Sequence, residues 1–287
     1  MVKTLCVIGV GLIGGSLALG LRSKNWCQSI IGIDANQDAL DKAIALNIID
    51  EGYTSIAQCQ HVPDVVVIAV PVLKVAKVFE DLKPWFSQCD AVTDVSSTKT
   101  SVINDYKKIY PGESGSCFVP GHPIAGREQS GVEAAIENLF QQRKVILTPM
   151  ESSHNESVDL ITQMWQQLGA HVEHLSAEDH DQILAATSHL PHALAYSLVH
   201  CLSTQSHTDE IFRYAAGGFA DFTRIASSDP IVWREICLAN RDELLKALDH
   251  FDVSLQHMRE SLSSADGDAL EEIFTAAKSA RDRYTDS

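Results

Sequence analysis

One imidazole, one hydroxyl cluster and one arginine stand in motifs from which a proton-transfer site can be assembled. His122 lies in Gly121-His122-Pro123-Ile124-Ala125-Gly126-Arg127-Glu128, and Ser97 lies in Ser96-Ser97-Thr98-Lys99. Oxidising an alcohol by hydride transfer needs a group that takes the hydroxyl proton, and an unperturbed histidine titrates in the right range. His122 is therefore the candidate acceptor, against the plainer reading of a histidine locked into a turn by Pro123. Ser97 either hydrogen-bonds the same hydroxyl and orients the imidazole, or caps a helix beside Thr98. Lys99, Arg127 and Glu128 add two cations and a carboxylate to the same convergence.

Two later stretches extend the set: Ser188-His189-Leu190-Pro191-His192, and Gly217-Gly218-Phe219-Ala220-Asp221-Phe222-Thr223-Arg224. Pro191 inside a helix from Asp179 to Thr204 removes a hydrogen bond to the Thr187 carbonyl and predicts a kink there. His189 and His192 are spaced i, i+3, but no third ligand accompanies them, so no metal site is expected. Gly217-Gly218 reads as a helix end. Arg224 follows on a segment whose Phe219, Phe222 and Ile225 read as buried. A guanidinium on such a segment suits a bidentate carboxylate clamp; the competing reading is an interdomain salt bridge.

These groups need a frame. Up to about residue 176, short β-branched runs alternate with helical patterns: LCVIGV, SIIGID, DVVVIAV, AVTDV, SCFVP, KVILTP and HVEHLS. Runs of this kind predict a parallel sheet buried on both faces by helices. The loops bearing Ser97 and His122 would leave that sheet at its carboxyl edge, where ligands bind. After Ser176 the strands stop, and helices are expected with breaks near His207, Gly217-Gly218, Asp229-Pro230 and Ser263 to Gly267. The expected architecture is α/β: a Rossmann-type doubly wound parallel sheet in residues 1–176, followed by an all-helical domain in residues 177–287.

The first strand runs into Gly9-Val10-Gly11-Leu12-Ile13-Gly14 and then a helical stretch. Gly9 permits a tight turn, Gly11 a close approach of backbone to a pyrophosphate, and Gly14 close helix packing, with the phosphates held at the helix N-terminus. Asp34 ends the next strand, 20 residues beyond Gly14, where a carboxylate bonds the adenosine ribose and repels a 2′-phosphate. NAD is favoured over NADP; as an alternative, Asp34 caps the helix starting near Gln37. Val70 and Pro71 end the DVVVIAV strand and read as a wall of the cofactor cleft.

The formal net charge of −16 argues against nucleic acid or an anionic membrane as partner. A small anionic substrate would need a local cationic pocket. Seven widely spaced cysteines, without CxxC, suggest neither a disulfide framework nor a zinc site. The uncharged stretch Thr4 to Leu21 is crossed by glycines at turn spacing, so it is not expected to be a signal peptide or membrane span. A cytoplasmic enzyme is expected.

Taken in order, GVGLIGGS, AVPV, TDVSSTK, GHPIAGREQSG, SHLPH and GGFADFTRIASSDPIVW closely resemble the prephenate/arogenate (cyclohexadienyl) dehydrogenase family over roughly residues 5 to 240. The resemblance implies NAD-dependent oxidative decarboxylation of prephenate, with arogenate as a possible further substrate, in tyrosine biosynthesis. It implies that His122 accepts the hydrogen bond of the ring C4 hydroxyl with support from Ser97, and that Arg224 holds a substrate carboxylate. By the same resemblance His192 contacts the side chain, Glu128 is a polar cleft residue, and Gly217 approaches the substrate by its backbone. It further implies a homodimer through the helical domain and a monofunctional enzyme without fused chorismate mutase or regulatory segments. The spacing of Ile236, Leu244, Leu248, Phe251, Leu255 and Leu262 fits such pairing and fits an ordinary core equally well. Two alternatives stand beside it: a β-hydroxyacid dehydrogenase, which would use a lysine where this chain has GGFADFTRIA, and a non-catalytic NAD-sensing protein.

Overall fold

In the computed structural model, which describes residues 2–112, 116–127 and 129–285, alternate side chains of each central strand enter two separate cores. Leu5 and Val7 of β1 (Val2–Ile8) pack on one side of the sheet, with Leu17, Ala18 and Leu21 of α1 (Leu12–Ser23). Cys6 and Ile8 pack on the other, where helices further along the chain cover them. This two-residue period, apolar at both phases, is why the sequence shows continuous apolar runs rather than alternation.

Next come β2 (Cys27–Ile33), α2 (Gln37–Ala45), β3 (Glu51–Tyr53), β4 (Val65–Ile68), α3 (Val75–Phe86), β5 (Ala91–Asp94), α4 (Thr100–Ile109) and β6 (Phe118–Val119). All pair in parallel, in the order β3-β2-β1-β4-β5-β6. That order reverses direction between β1 and β4 and opens a ligand crevice at their carboxyl ends. Phe79 and Trp85 of α3 and Tyr106 of α4 fill the second core against Val66, Ile68 and Phe118.

A second sheet differs from the single parallel sheet expected. It contains β7 (Gly121–Pro123), β8 (Lys144–Leu147) and β9 (His171–His174), with β7 antiparallel to β8 and β8 parallel to β9. KVIL and HVEH therefore do not extend the main sheet. GHP is a strand rather than a loop, with His122 opposite Ile146. Between β8 and β9, α5 (Asn155–Gln167) returns Ile161, Met164 and Trp165 to the first core.

The helical part opens with α6 (Ala177–Leu184), whose first turn is capped by the Ser176 hydroxyl accepting from Asp179 N–H at 3.0 Å. A π-helical turn, Ala185–His189, joins it to α7 (Leu190–Ser203). Pro191 is the second residue of α7, so the N–H it lacks falls in that helix's first turn, directly after the π-helical turn. There follow α8 (Thr208–Arg213), α9 (Gly217–Thr223) and α10 (Pro230–Ala239). Gly217-Gly218 opens α9 instead of closing a helix, and Phe222 is 49% exposed rather than buried. Asp229 caps α10 through its side chain, as Asp-Pro predicts.

By packing, the chain divides into Met1–Asn240 and Arg241–Ser287. The secondary structure changes character near 176, but α6 to α10 stay with the sheet. Asp181 bonds the first amides of α4, and Glu235 accepts from Leu73 N–H at 3.4 Å. The second unit is a pair of helices, α11 (Arg241–Ser263) and α12 (Gly267–Thr285). Leu245, Val253, Leu255 and Leu262 on α11 and Phe274 on α12 are exposed in the single chain. Among the described residues no helix is long and apolar enough to cross a membrane.

Candidate active site

The cofactor end is built from glycines with different duties. Gly9 has φ +97°, and a β-carbon there would collide with the Ala69 carbonyl; one on Gly14 would collide with the Gly9 carbonyl. Both positions hold β1, α1 and the end of β4 in close contact. Gly11 differs, because a β-carbon there meets nothing within 4 Å. It is the N-cap of α1 and supplies no side-chain cap, which leaves the first-turn amides for the oxygens of a phosphate. Leu12, Ile13 and Val70 are half-buried around this opening, and Pro71 is exposed beyond β4.

Asp34 follows β2, with Oδ2 accepting from Val10 N–H at 3.1 Å and Oδ1 from Asn36 N–H at 2.9 Å. It does not cap α2; the Asn36 side chain does. The carboxylate is thus fixed beside the glycine turn, where a ribose hydroxyl pair would meet it. Together these features fit a dinucleotide.

At the reacting end, β7 and the loop after β5 are clamped by one buried ion pair. Lys99 Nζ lies 2.6 Å from Asp94 Oδ2 and donates to the Gly121 carbonyl at 2.5 Å; Gly121 N–H returns a 3.2 Å bond to Asp94 Oδ1. Burial lowers the Lys99 pKa against the opposing pull of Asp94. Next to Gly121, His122 is buried, and its Nδ1 is 2.8 Å from Nε2 of His180 on α6. Burial lowers the His122 pKa well below the ordinary value, with His180, Lys99 and His189 adding to the shift. The ring is therefore neutral near pH 7, as an acceptor must be.

The helical wall carries two more imidazoles. Asn240 donates through Nδ2 to the Asp181 carbonyl at 2.8 Å and shares a 3.0 Å contact with His189 Nδ1. Since the amide nitrogen only donates, His189 keeps its hydrogen on Nε2, which has no partner among the described residues. His192 stacks on Trp233 with ring centres 3.5 Å apart, and its Nδ1 donates to the Ser188 carbonyl at 2.9 Å. Burial first, then the nearby Arg224 charge, lowers its pKa. Arg224 is exposed at the end of α9, near enough to His192 for that influence. Gly217 is exposed, with open space where a β-carbon would stand.

Ser97 is half-buried between β5 and α4. It is not the cap of α4, which begins at Thr100 with the Asp181 carboxylate bonding the Lys99 and Thr100 amides. Of the two cations expected near the pocket, Lys99 is committed to Asp94, and Arg127 is exposed and donates to the Ala134 carbonyl at 3.4 Å. Glu128 lies outside the described residues. No group of three or more His, Cys, Asp or Glu side chains that could hold a metal occurs among the described residues.

The sequence model of the prephenate dehydrogenase nucleotide-binding domain matches residues 17–174, and that of the prephenate dehydrogenase dimerization domain matches residues 176–276. The chain belongs to the prephenate dehydrogenase family. Cyclohexadienyl dehydrogenase of Zymomonas mobilis is 36% identical over 97% of this chain and 95% of its own length. Prephenate dehydrogenase of Bacillus subtilis is also 36% identical, over 98% of this chain and 76% of its own. The crystal structure of prephenate dehydrogenase from A. aeolicus, in complex with hydroxyphenyl propionate and NAD+, superposes with a TM-score of 0.90. That protein is 39% identical, with 99% of this chain and 98% of that chain covered.

Within a prephenate dehydrogenase frame, four residues of the site were not singled out for these roles by sequence reasoning: His180, Asp181, Asn240 and, as a buried strut, Lys99. His180 and Asp181 stand in AEDHDQIL, which reads as the polar first turns of a solvated helix. Only the packing of α6 on α4 reveals them as buried. A weak signal was available, because Asp94 and Lys99 bracket the Ser97 cluster and a charge at a strand end needs a partner.

Proposed function

We propose that this chain catalyses the NAD-dependent oxidative decarboxylation of prephenate to 4-hydroxyphenylpyruvate in tyrosine biosynthesis, with arogenate, which would give tyrosine, as the second substrate to test. The observation that carries the reading is His122: a buried, neutral imidazole with one nitrogen engaged by His180, at the carboxyl edge of the sheet that carries the dinucleotide motif. Bound NAD supplies the hydride acceptor. His122 polarises the C4 hydroxyl, and loss of the ring carboxylate as carbon dioxide makes the ring aromatic. Arg224 holds a substrate carboxylate, His192 and Gly217 border the side chain, and Ser97 and Glu128 contribute polar contacts in the cleft. The protein's part is positioning and polarisation of one hydroxyl.

The helical region, residues 177–287, serves substrate binding and pairs two copies of the chain. The exposed leucines of α11 and the match to a dimerization domain support this. Seven free thiols fit a reducing, cytoplasmic setting. Family membership supports this reading over a β-hydroxyacid dehydrogenase.

Mixing purified protein with NAD and each substrate in turn tests the activity, read as nicotinamide reduction. No reduction with either substrate refutes it and leaves the β-hydroxyacid dehydrogenase and NAD-sensing alternatives. His122→Asn is expected to keep NAD binding and to lower kcat by about 10²- to 10⁴-fold, the usual worth of a positioned acid–base group.

A further inference from the structure

His122 is backed by a line of buried groups whose hydrogens can be assigned from the far end. Asp181 accepts from the Lys99 and Thr100 amides, each at 2.8 Å, at the positive end of α4. Burial would raise its pKa, but the bond from His180 and those amides win, and the carboxyl stays below its ordinary range. A carboxylate only accepts. The hydrogen in its 2.8 Å contact with His180 Nδ1 therefore belongs to His180. The other nitrogen of a neutral imidazole is an acceptor, so the hydrogen between the two rings belongs to His122 Nδ1. By the same rule His122 Nε2 carries a lone pair.

Both rings are neutral near pH 7. Burial lowers both pKa values, and Lys99 lowers both further. His180 and His189 also act on His122 in that direction, while Asp181 and Asp94 oppose the shift at His180.

We propose that Asp181 and His180 are positioning residues that hold His122 in its Nδ1–H tautomer and share the positive charge when Nε2 takes the hydroxyl proton. The proposal rests on His122 being the hydroxyl acceptor. As hydride leaves C4, the hydroxyl proton moves to His122 Nε2, and the hydrogen on Nδ1 moves to His180 Nε2. Positive charge then rests beside the Asp181 carboxylate. When the ring carboxylate leaves as carbon dioxide, its bonding pair enters the ring, the C4 oxygen takes its proton back, and the imidazole hydrogens return. The substrate loses one hydride and one carbon dioxide, and the relay ends as it began.

Nitrogen-15 NMR of histidine-labelled enzyme with NAD at pH 7.5 reads the tautomers without any substitution. Nδ1–H is expected on both rings; Nε2–H on His122 overturns the proposal. Kinetics form the second arm. Asp181→Asn keeps an oxygen to accept from the Lys99 amide and His180 Nδ1 but removes the negative charge that stabilises a protonated His180, and in Ser-His-Asp triads the same swap lowers turnover by about 10⁴-fold. Here kcat should fall at least about 10²-fold while KM for substrate and NAD stays within about threefold. The acid limb of kcat/KM should move to lower pH, because the charge that raises the pair's pKa is gone. His180→Gln, whose amide oxygen can accept from His122, should recover part of the kcat that His180→Leu loses.

Unchanged kcat and acid limb in these variants, with only the melting temperature altered, overturns the relay. His122→Asn is run in parallel to separate the two ideas. If it turns over normally, the acceptor assignment fails; if it is inactive while the His180 and Asp181 variants are normal, the relay alone fails.

Discussion

Lys99 and Asp94 form an ion pair at 2.6 Å with neither side chain reaching solvent, and that pair holds the backbone of Gly121, the residue next to His122. Removing one partner of such a pair leaves the other charge buried and alone, which costs about 3 to 5 kcal/mol. Lys99→Met should therefore lower the denaturation midpoint strongly. Lys99→Met combined with Asp94→Leu should recover much of that loss, since no charge is stranded. Both variants free the Gly121 carbonyl, and the double variant its amide as well, so turnover should stay low even where stability returns. Urea melts and kcat of the single and double variants check this, and additive losses in stability would refute it.

The three motif glycines should separate folding from cofactor binding. Gly9→Ala forces a β-carbon into positive φ and against Ala69, so it should destabilise the fold by more than about 1 kcal/mol. Gly14→Ala meets the Gly9 carbonyl and should behave likewise. Gly11→Ala meets no protein atom and sits on extended backbone, so the melting temperature should hold. Its methyl instead occupies the space of the pyrophosphate, and KM for NAD should rise on the order of tenfold or more. Thermal melts and NAD titration of the three variants decide the matter.

That division was legible in advance because a strand, a glycine turn and a helix are contiguous, and the alternating runs that build the main sheet are equally local. What escaped notice depends on residues far apart in the chain. β7 has three residues, two of them Gly121 and Pro123, which read as a turn until Ile146 pairs with His122. His180 and Asp181 look solvated until α6 meets α4. The π-helical turn before Pro191 could be expected only as a disturbance, because periodicity predicts where a helix fails and not how its backbone recovers. His122 and Asp34 were legible as types of residue at meaningful places; their hydrogen-bond partners were not.

Acid should weaken this protein through its buried histidines. His189 is pushed down to about 4 by burial, with His180 and His192 adding and Asp181 opposing, whereas its ordinary value is 6.5. Between those values the unfolded chain binds a proton that the folded chain refuses, so this contribution is complete above about pH 6.5 and is lost as pH falls toward 4. At 1.36 kcal/mol per unit the loss amounts to about 3 kcal/mol. His189→Gln removes that proton uptake, so its stability should decline less than wild type between pH 7 and 5. Parallel slopes in urea melts across that range would refute the assignment.

Arg224 should reveal itself in binding rather than in the chemical step. Its charge bears on His192, whose ring stacks on Trp233 and donates to the Ser188 carbonyl. A carboxylate clamp acts equally on bound substrate and transition state, and uniform binding appears in KM. Charge-assisted hydrogen bonds contribute about 1.5 to 3 kcal/mol, so Arg224→Gln should raise substrate KM roughly 10- to 100-fold. kcat should change little, and KM for NAD should not move, because the dinucleotide would be held at the glycine turn between β1 and α1, on different elements from α9. Arg224→Lys keeps the charge but loses the two-pronged geometry, so it should fall between wild type and the glutamine variant. Steady-state kinetics with each substrate varied at saturating NAD measure all three, and a fall in kcat at unchanged substrate KM would instead assign Arg224 to the reacting carbon.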